Sequence, residues 1–316
     1  MLSLNTSQRV ADNKPPPANP MLPVNIRGLG YSVNGTPLVD NLNIDLDPGT
    51  KTVVMGANGA GKTTTMRIIL GVLDADTGSV SLDGRELRIE DRKHFGYMPE
   101  ERGLYPKMRL EEQLVYFARL HGLDAATARE NARELLARLE LQERADDSIE
   151  KLSLGNQQRA QIAAALVHDP KVLVLDEPFS GLDPLAVEVV LDVLKERAAR
   201  GVPVLFSSHQ LDIVERLCDD LVIIADGRIR AAGPRNELRA QHATLRYELV
   251  TDSDAAWLRD EPGVDVVDFH GGYALFDAAD ESVVKRVISA AVARGGVTNF
   301  AHRHPTLAEI FKEVIR

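Results

Sequence analysis

The sequence predicts an α/β fold in which helices cover a sheet, followed by a smaller α+β domain. The first observation is that short apolar segments typical of strands alternate with helix-like segments over most of the chain. This alternation is characteristic of a sheet with helices packed on its faces. The second is that a smaller pattern of strands and helices begins again after about residue 241. With 316 residues, of which 44% are hydrophobic, the chain can bury one large and one small core.

The first strands of the large domain show two different patterns. Residues 25–31 and 38–46 alternate apolar and polar side chains, as half-buried antiparallel strands do. Residues 52–55 form a short apolar run that predicts a buried strand. This strand runs into a glycine-rich turn, and a helix is predicted from Lys62 to about Leu73.

The rest of the chain sets the domain boundaries. Residues 1–23 are polar and rich in proline, which is typical of a disordered lead-in. Residues 104–167 have helical spacing and no strand signal, so they predict a helical subdomain. Strands and helices then alternate, beginning with the apolar strand 172–175, and complete a domain of residues 24–241. Residues 242–316 predict the small α+β accessory domain.

Composition narrows the class of protein. The net charge of −10 argues against a surface that grips nucleic acid. A single cysteine, Cys218, permits neither an intrachain disulfide nor a cysteine-based zinc cluster. The sequence has no apolar run of spanning length, and its start lacks the layout of a secretory signal. We therefore expect a cytoplasmic protein.

A glycine-rich loop predicts a nucleotide site. The segment GANGAGKT at residues 56–63 matches the phosphate-loop pattern G-x-x-x-x-G-K-[ST], with a predicted strand before it and a helix after it. The glycines let several main-chain N–H groups face one anion, and the helix adds the positive end of its dipole. Lys62 can reach the terminal phosphates of ATP, and Thr63 offers a hydroxyl to Mg²⁺.

Two acidic residues follow the buried strand at 172–175. Strand ends of this kind lie near the phosphate loop in such folds. Asp176 is expected to hold Mg²⁺, directly or through water, and Glu177 to polarise the attacking water as a general base or positioner.

The order of these motifs resembles that of the ABC ATPase family. Residues 152–158, LSLGNQQ, are similar to the family signature L-S-G-G-Q, from which Leu154 and Asn156 depart. Ser153 and Gly155, which meet the γ-phosphate in the family, are kept. The resemblance covers residues 24–241 strongly and the rest weakly, and it implies a P-loop NTPase core with antiparallel β and helical subdomains.

Further motifs fall in the order of the family. Residues 180–183, SGLD, resemble the loop that crosses the dimer interface, and His209 matches the switch histidine that contacts the γ-phosphate. Tyr31 lies where the family places an aromatic ring against adenine, although a plain core tyrosine is the alternative. The catalytic residues implied are Lys62, Glu177 and His209. The residues implied in ATP binding are Tyr31, Gly56, Asn58, Gly59, Ala60, Gly61, Lys62, Thr63, Thr64, Ser153, Gly155 and Asp183.

One position departs from the family in a way that matters for the metal. Where the family has a glutamine that contacts Mg²⁺ and the membrane partner, this chain has Glu100, so the metal ligands implied are Thr63, Asp176 and Glu100. A third carboxylate should make ATP binding more dependent on Mg²⁺. The alternative is that Glu100 points to solvent and pairs with Arg102. The surrounding segment PEERGLYP and the appended domain are similar to a sodium- and drug-exporter branch.

The resemblance implies a subunit peripheral to the cytoplasmic face of the membrane. It implies a transmembrane permease on a separate chain, a second ATPase subunit that is most simply an identical copy, and no nucleic acid. One rival is a soluble family member that acts on ribosomes or chromosomes, but the chain has a single ATPase copy and no long heptad run. A second rival is a nucleotide-gated regulator without turnover, against which the intact Lys62, Asp176, Glu177 and His209 argue.

Overall fold

The structure is a computed structural model that describes residues 23–101, 103–242 and 245–315. Residues 1–22 of the predicted lead-in lie outside the described residues. No helix in the described ranges has the length and apolar character needed to cross a bilayer.

Strands and helices alternate along the described chain. In chain order the strands are β1 (Val24–Val33), β2 (Thr36–Leu46), β3 (Lys51–Met55), β4 (Thr77–Leu82), β5 (Arg85–Glu86), β6 (Phe95–Met98), β7 (Val172–Leu175), β8 (Val204–Ser207), β9 (Asp220–Ala225), β10 (Arg228–Pro234), β11 (Arg246–Thr251), β12 (Val264–His270), β13 (Tyr273–Ala278) and β14 (Val297–His302). The α-helices are α1 (Lys62–Ile69), α2 (Ile89–Arg92), α3 (Leu110–Leu120), α4 (Ala125–Arg138), α5 (Leu154–Leu166), α6 (Pro184–Ala199), α7 (Leu211–Leu217), α8 (Arg235–Gln241), α9 (Glu281–Ala293) and α10 (Leu307–Ile315).

The central sheet has the strand order β10-β9-β3-β8-β7-β6. Strands β9, β3, β8, β7 and β6 are parallel, and β10 runs antiparallel beside β9. Strand β7 is buried on both faces, since Leu173 belongs to one core cluster and Val172 and Val174 to the other. Such strands read as continuous apolar runs, which is why this strand is visible in the sequence.

A different layer covers each face of the central sheet. On one face the antiparallel sheet β2-β1-β4-β5 and helix α1 pack over Val54 and Val174. On the other face lie α5, α6 and the helical subdomain formed with α3 and α4. The predicted α/β core with antiparallel and helical parts is therefore confirmed.

Two helix ends differ from the sequence prediction. Helix α1 ends at Ile69, not near Leu73, because Gly71 has a φ of 67° and its N–H donates to the carbonyl of Ile68 at 2.9 Å. A left-handed glycine of this kind closes a helix. The sequence predicts a helix over 156–167, but α5 begins at Leu154, because Ser153 caps it and accepts a hydrogen bond from the Asn156 N–H at 3.3 Å.

The accessory part is a four-stranded antiparallel sheet with the order β12-β13-β11-β14. Helix α9 covers one face through Val283, Val284 and Val287, which form a third core cluster with residues such as Phe276. This sheet and helix agree with the predicted α+β character of residues 242–316.

The last described helix returns to the large core. Leu307 and Ile310 of α10 are fully buried within the cluster that contains Phe206 and Leu217, and not within that of the accessory sheet. The Leu307 N–H donates to the Glu215 carboxylate of α7 at 3.0 Å. Helix α10 therefore joins the accessory part to helix α7 and to the large core.

Ile310→Ala should destabilise the large core and not only the accessory part. Truncation of a fully buried isoleucine removes about 2–5 kcal/mol from the free energy of unfolding, which urea denaturation measures. Lys312→Ala, an exposed change on the same helix, is the control and should alter this free energy by less than about 0.5 kcal/mol. Equal effects of the two changes would contradict the packing of α10.

Candidate functional site

A cavity of about 360 Å³ lies at the carboxyl ends of β3 and β7. Its lining combines the glycine-rich loop, the start of α1 and three acidic residues. The lining residues are Leu38, Asn58, Gly59, Gly61, Lys62, Thr63, Thr64, Glu100, Asp176 and Glu177. The structure therefore brings together most of the residues predicted for the phosphates and the metal.

The glycine-rich loop is shaped by close contacts that only glycine permits. Gly61 has a φ of 104°, and a Cβ there would lie 2.5 Å from the Leu38 carbonyl oxygen. At Gly56 a Cβ would lie 2.4 Å from the Ile224 carbonyl oxygen. The Lys62 ammonium lies over the loop and donates to the carbonyls of Gly56 at 2.9 Å and Ala57 at 3.2 Å. A cation and the N-terminus of α1 thus share one concave surface, which suits an anionic ligand.

Asp176 is the most buried carboxylate of the site. It is buried, with 1% of its surface exposed, and each of its oxygens accepts one hydrogen bond. Thr63 Oγ1 donates to Oδ2 at 2.7 Å, and Ser207 Oγ donates to Oδ1 at 2.6 Å. The strand order explains the second contact, since Ser207 ends β8 beside β7.

The donor set fits a hard divalent cation. The Thr63 hydroxyl and the Asp176 carboxylate offer only oxygen, which is the preference of Mg²⁺. In the described ranges no three residues of the His, Cys, Asp or Glu type are grouped closely enough to hold a metal ion. A magnesium ion here would take its remaining oxygens from phosphates and water, as it commonly does.

Glu177 is held in an uncommon backbone conformation. Its φ of 50° is left-handed, which few residues other than glycine adopt and which is found at functional sites. Its N–H donates to Ser207 Oγ at 2.8 Å, and its Oε2 lies 2.9 Å from Nδ1 of His209. These contacts turn the carboxylate into the cavity, where it can accept a proton or orient water.

Glu100 lines the same cavity from the loop that follows β6. Glu100 is exposed, and its role near the metal stays a prediction. Nearby, burial raises the pKa of Tyr97, and the Asp176 carboxylate acts in the same direction, so Tyr97 adds no charge to the site at neutral pH. Arg102, the alternative partner of Glu100, lies outside the described residues.

Tyr31 does not line the cavity. It lies on β1 opposite Val39 and packs, partly buried, against the core of the antiparallel sheet. Leu38, which the sequence analysis missed, lies on the cavity wall instead. Stacking of Tyr31 on adenine stays a prediction.

The predicted signature and interface residues also lie outside this cavity. Ser153 caps α5, and the Asp183 carboxylate caps α6 by accepting from the Ala186 N–H at 2.8 Å. Each cap precedes an exposed leucine, namely Leu154 at 60% and Leu185 at 80% exposure. The chain therefore presents Ser153, Gly155 and Asp183 apart from its own phosphate loop.

Sequence reasoning missed Ser207, whose hydroxyl donates to the Asp176 carboxylate and accepts from the main-chain N–H of Glu177. A weak signal was present, since a polar residue ends an otherwise apolar strand two positions before His209. Only the pairing of β7 with β8 shows that its hydroxyl meets Asp176.

Comparison with known proteins agrees with this geometry. A family model described as ABC transporter matches residues 39–180, and one described as the C-terminal domain of DrrA1-3-like ATP-binding proteins matches residues 233–315. The chain is 36% identical over 277 residues to the uncharacterized ABC transporter ATP-binding protein YhaQ of Bacillus subtilis, which covers 88% of this chain and 93% of that relative. It is 36% identical over 251 residues to Nod factor export ATP-binding protein I of Burkholderia lata, covering 77% of this chain and 81% of that relative.

A solved ATP-binding subunit of an ABC transporter has the same fold. The two structures align with a TM-score of 0.65 and 33% identity, over 69% of this chain and 92% of the other. The family predicted from the motifs is thus confirmed by sequence and by fold. The chain belongs to the ABC transporter family, in which it is an ATP-binding subunit that hydrolyses ATP.

Proposed function

We propose that this subunit is one half of a head-to-tail homodimer that encloses two ATP molecules and drives a separate membrane permease. The observation that carries the proposal is the division of the ATP-binding residues between two surfaces. The phosphate loop and the carboxylates line one cavity, whereas Ser153 and Gly155 do not reach it. A second copy, turned head to tail, brings these two residues to the γ-phosphate.

The exposed surface around the signature supports this pairing. Leu154 and Leu185 are large apolar side chains that are 60% and 80% exposed, and they lie one and two residues after the helix caps Ser153 and Asp183, which the family resemblance places at the interface. Burial of such side chains favours association. Asp183, between them in the chain, would cross to the other subunit.

Lys62 and Thr63 would bind the triphosphate. The Lys62 ammonium would exchange the carbonyls of Gly56 and Ala57 for phosphate oxygens. Magnesium, held by Thr63 and Asp176, would neutralise charge on the β- and γ-phosphates. Thr63 and Asp176 are already hydrogen-bonded to each other, so little rearrangement is needed.

Glu177 would orient the attacking water and accept its proton. The contact with His209 and the hydrogen bond from the Glu177 N–H to Ser207 fix the carboxylate on the cavity wall. His209, with 65% of its side chain accessible, would contact the γ-phosphate of bound ATP. The chemistry is mainly positioning and charge stabilisation.

The direction proposed is export, of an ion, a drug or another small solute. This rests on the sequence branch and on relatives whose names specify Nod factor export. Residues 24–241 would act as the motor, and residues 242–316 as the accessory domain. The subunit would lie at the cytoplasmic face of the membrane, with the Glu100 loop and the helical subdomain passing motion to the permease.

Purification from native membranes tests the partnership. A tagged subunit should retain a polytopic membrane protein through gentle detergent extraction. The membrane protein should stimulate ATP hydrolysis by the subunit, or its transport activity should require that hydrolysis. Recovery with ribosomes or nucleic acid and no membrane protein would overturn the proposal.

Glu100→Gln should weaken the coupling between ATP and Mg²⁺. We define the coupling ratio as the Kd for a non-hydrolysable ATP analogue without Mg²⁺ divided by that with Mg²⁺. Loss of one charge on the cavity wall improves metal-free binding and weakens Mg²⁺ binding, so the ratio should fall by about three- to tenfold, or ~1 kcal/mol. Calorimetric titration of both proteins measures it, and an unchanged ratio would place Glu100 away from the metal.

A further inference from the structure

Two loops that carry acidic residues to the cavity are held by one face of helix α5. Gln158 Nε2 donates to the carbonyls of Glu177 at 3.0 Å and Pro178 at 3.2 Å. Gln161 Nε2 donates to the carbonyls of Pro99 at 3.2 Å and Glu101 at 3.1 Å. The two glutamines are three positions apart, which places them on the same side of the helix.

The Gln161 side chain is hydrogen-bonded to the main chain on both sides of Glu100. Gln161 is 4% exposed, and its amide donates to the carbonyls on either side of Glu100. The loop is also fixed just before this point, because the Asp176 N–H donates to the Met98 carbonyl at 2.8 Å. From Met98 to Glu101 the main chain is thus held against β7 and α5.

We propose that Gln161 is a positioning residue for Glu100: by holding the two flanking carbonyls, it keeps the Glu100 carboxylate on the cavity wall. The inference rests on the proposed role of Glu100 beside Mg²⁺-ATP. Removing the donors takes a hydrogen-bond partner from each of these two carbonyls, and a main-chain carbonyl that loses its partner moves to regain a hydrogen bond with water. Glu100 then spends less time at the cavity, so the negative charge near the metal falls.

Helix α5 also connects the signature residues to the Glu100 loop. Ser153 caps α5 at its start, and Gln158 and Gln161 lie farther along it. A shift of the signature end when a second subunit binds would therefore be transmitted to the loops of both Glu177 and Glu100. Gln161 links the Glu100 loop to that movement.

The test uses Gln161→Met in the full chain, since methionine fills a similar volume but donates no hydrogen bond. The coupling ratio should fall several-fold, in the same direction as in Glu100→Gln. In the double variant the ratio should equal that of Glu100→Gln alone, because Gln161 acts only through Glu100. Gln161→Asn, whose shorter amide cannot reach both carbonyls, serves as a second variant and should lower the ratio as well.

Gln157→Met is the matched control. Gln157 lies on the same helix and also donates two main-chain hydrogen bonds, to Ile149 at 3.1 Å and Leu152 at 2.9 Å, but neither carbonyl adjoins Glu100. Its coupling ratio should equal that of the unaltered protein, and thermal unfolding verifies that each variant is folded.

The outcomes separate the two proposals. An altered ratio in Glu100→Gln with an unaltered ratio in both Gln161 variants overturns the role of Gln161 alone. Additive effects in the double variant overturn it too, because Gln161 would then act by another route. An unaltered ratio in Glu100→Gln overturns the metal role of Glu100 together with the inference, while tight ATP binding would still support the nucleotide site.

Discussion

Glu177→Gln should bind Mg²⁺-ATP as tightly as the unaltered subunit and hydrolyse it about 10²–10⁴-fold more slowly. The amide keeps the shape of the side chain and can still accept a hydrogen bond from His209, which lies 2.9 Å from Oε2. It cannot take a proton from water. Phosphate release measures the rate, and calorimetry the affinity.

The same variant should also collect as an ATP-bound dimer. If hydrolysis reopens the pair, a subunit that binds but does not hydrolyse stays closed, and size-exclusion chromatography with ATP should show the larger species. Glu188→Gln is the control, because Glu188 is an exposed glutamate that pairs with Arg216 on the surface. Hydrolysis by Glu177→Gln at the rate of this control would refute the assignment of Glu177.

Lys62→Ala should lose about 10- to 150-fold in affinity for Mg²⁺-ATP. Hydrogen bonds to a charged group contribute about 1.5–3 kcal/mol, and the Lys62 ammonium is the cation of the phosphate loop that lies on the cavity wall. Calorimetric titration measures the loss. Because the Lys62 ammonium bonds to two loop carbonyls and, in the described part of the chain, to no other group, its truncation should leave the fold intact.

Lys285→Ala controls for a general change in charge. Lys285 lies exposed on α9 of the accessory domain, so its loss removes the same charge far from the phosphate loop. Its affinity for Mg²⁺-ATP should not change. If Lys62→Ala bound ATP as tightly as this control, the assignment of the nucleotide site would be wrong.

The large elements of the fold could be predicted because local chemistry determines them. Strand β7 is an uninterrupted apolar run, and the turn after β3 requires glycine at Gly61, where a Cβ would meet the Leu38 carbonyl at 2.5 Å. The acidic pair after β7 followed from the same logic, since parallel strands end at one edge of a sheet. Each of these signals is contained within a few consecutive residues of the sequence.

The contacts that join the site could not be predicted in this way. Ser207 meets Asp176 because β8 pairs with β7, and Gln161 meets the Glu100 loop because α5 packs beside β6. Each contact joins residues far apart in the chain, and neither residue type suggests its partner. The packing of Leu307 and Ile310 has the same origin, because no residue near them in the sequence indicates which core they join.

That packing has a consequence for how the chain folds as it is synthesised. Helix α10 comes after the whole accessory sheet in the chain, yet it completes the core that surrounds Phe206. Because synthesis delivers the N-terminal residues first, the motor emerges from the ribosome with one helix of its core still missing. The apolar surface beside α7 stays exposed until the accessory sheet and α10 have been synthesised. A nascent chain that stalls within the accessory sheet would therefore carry an unfinished motor, a species that chaperones would be expected to bind.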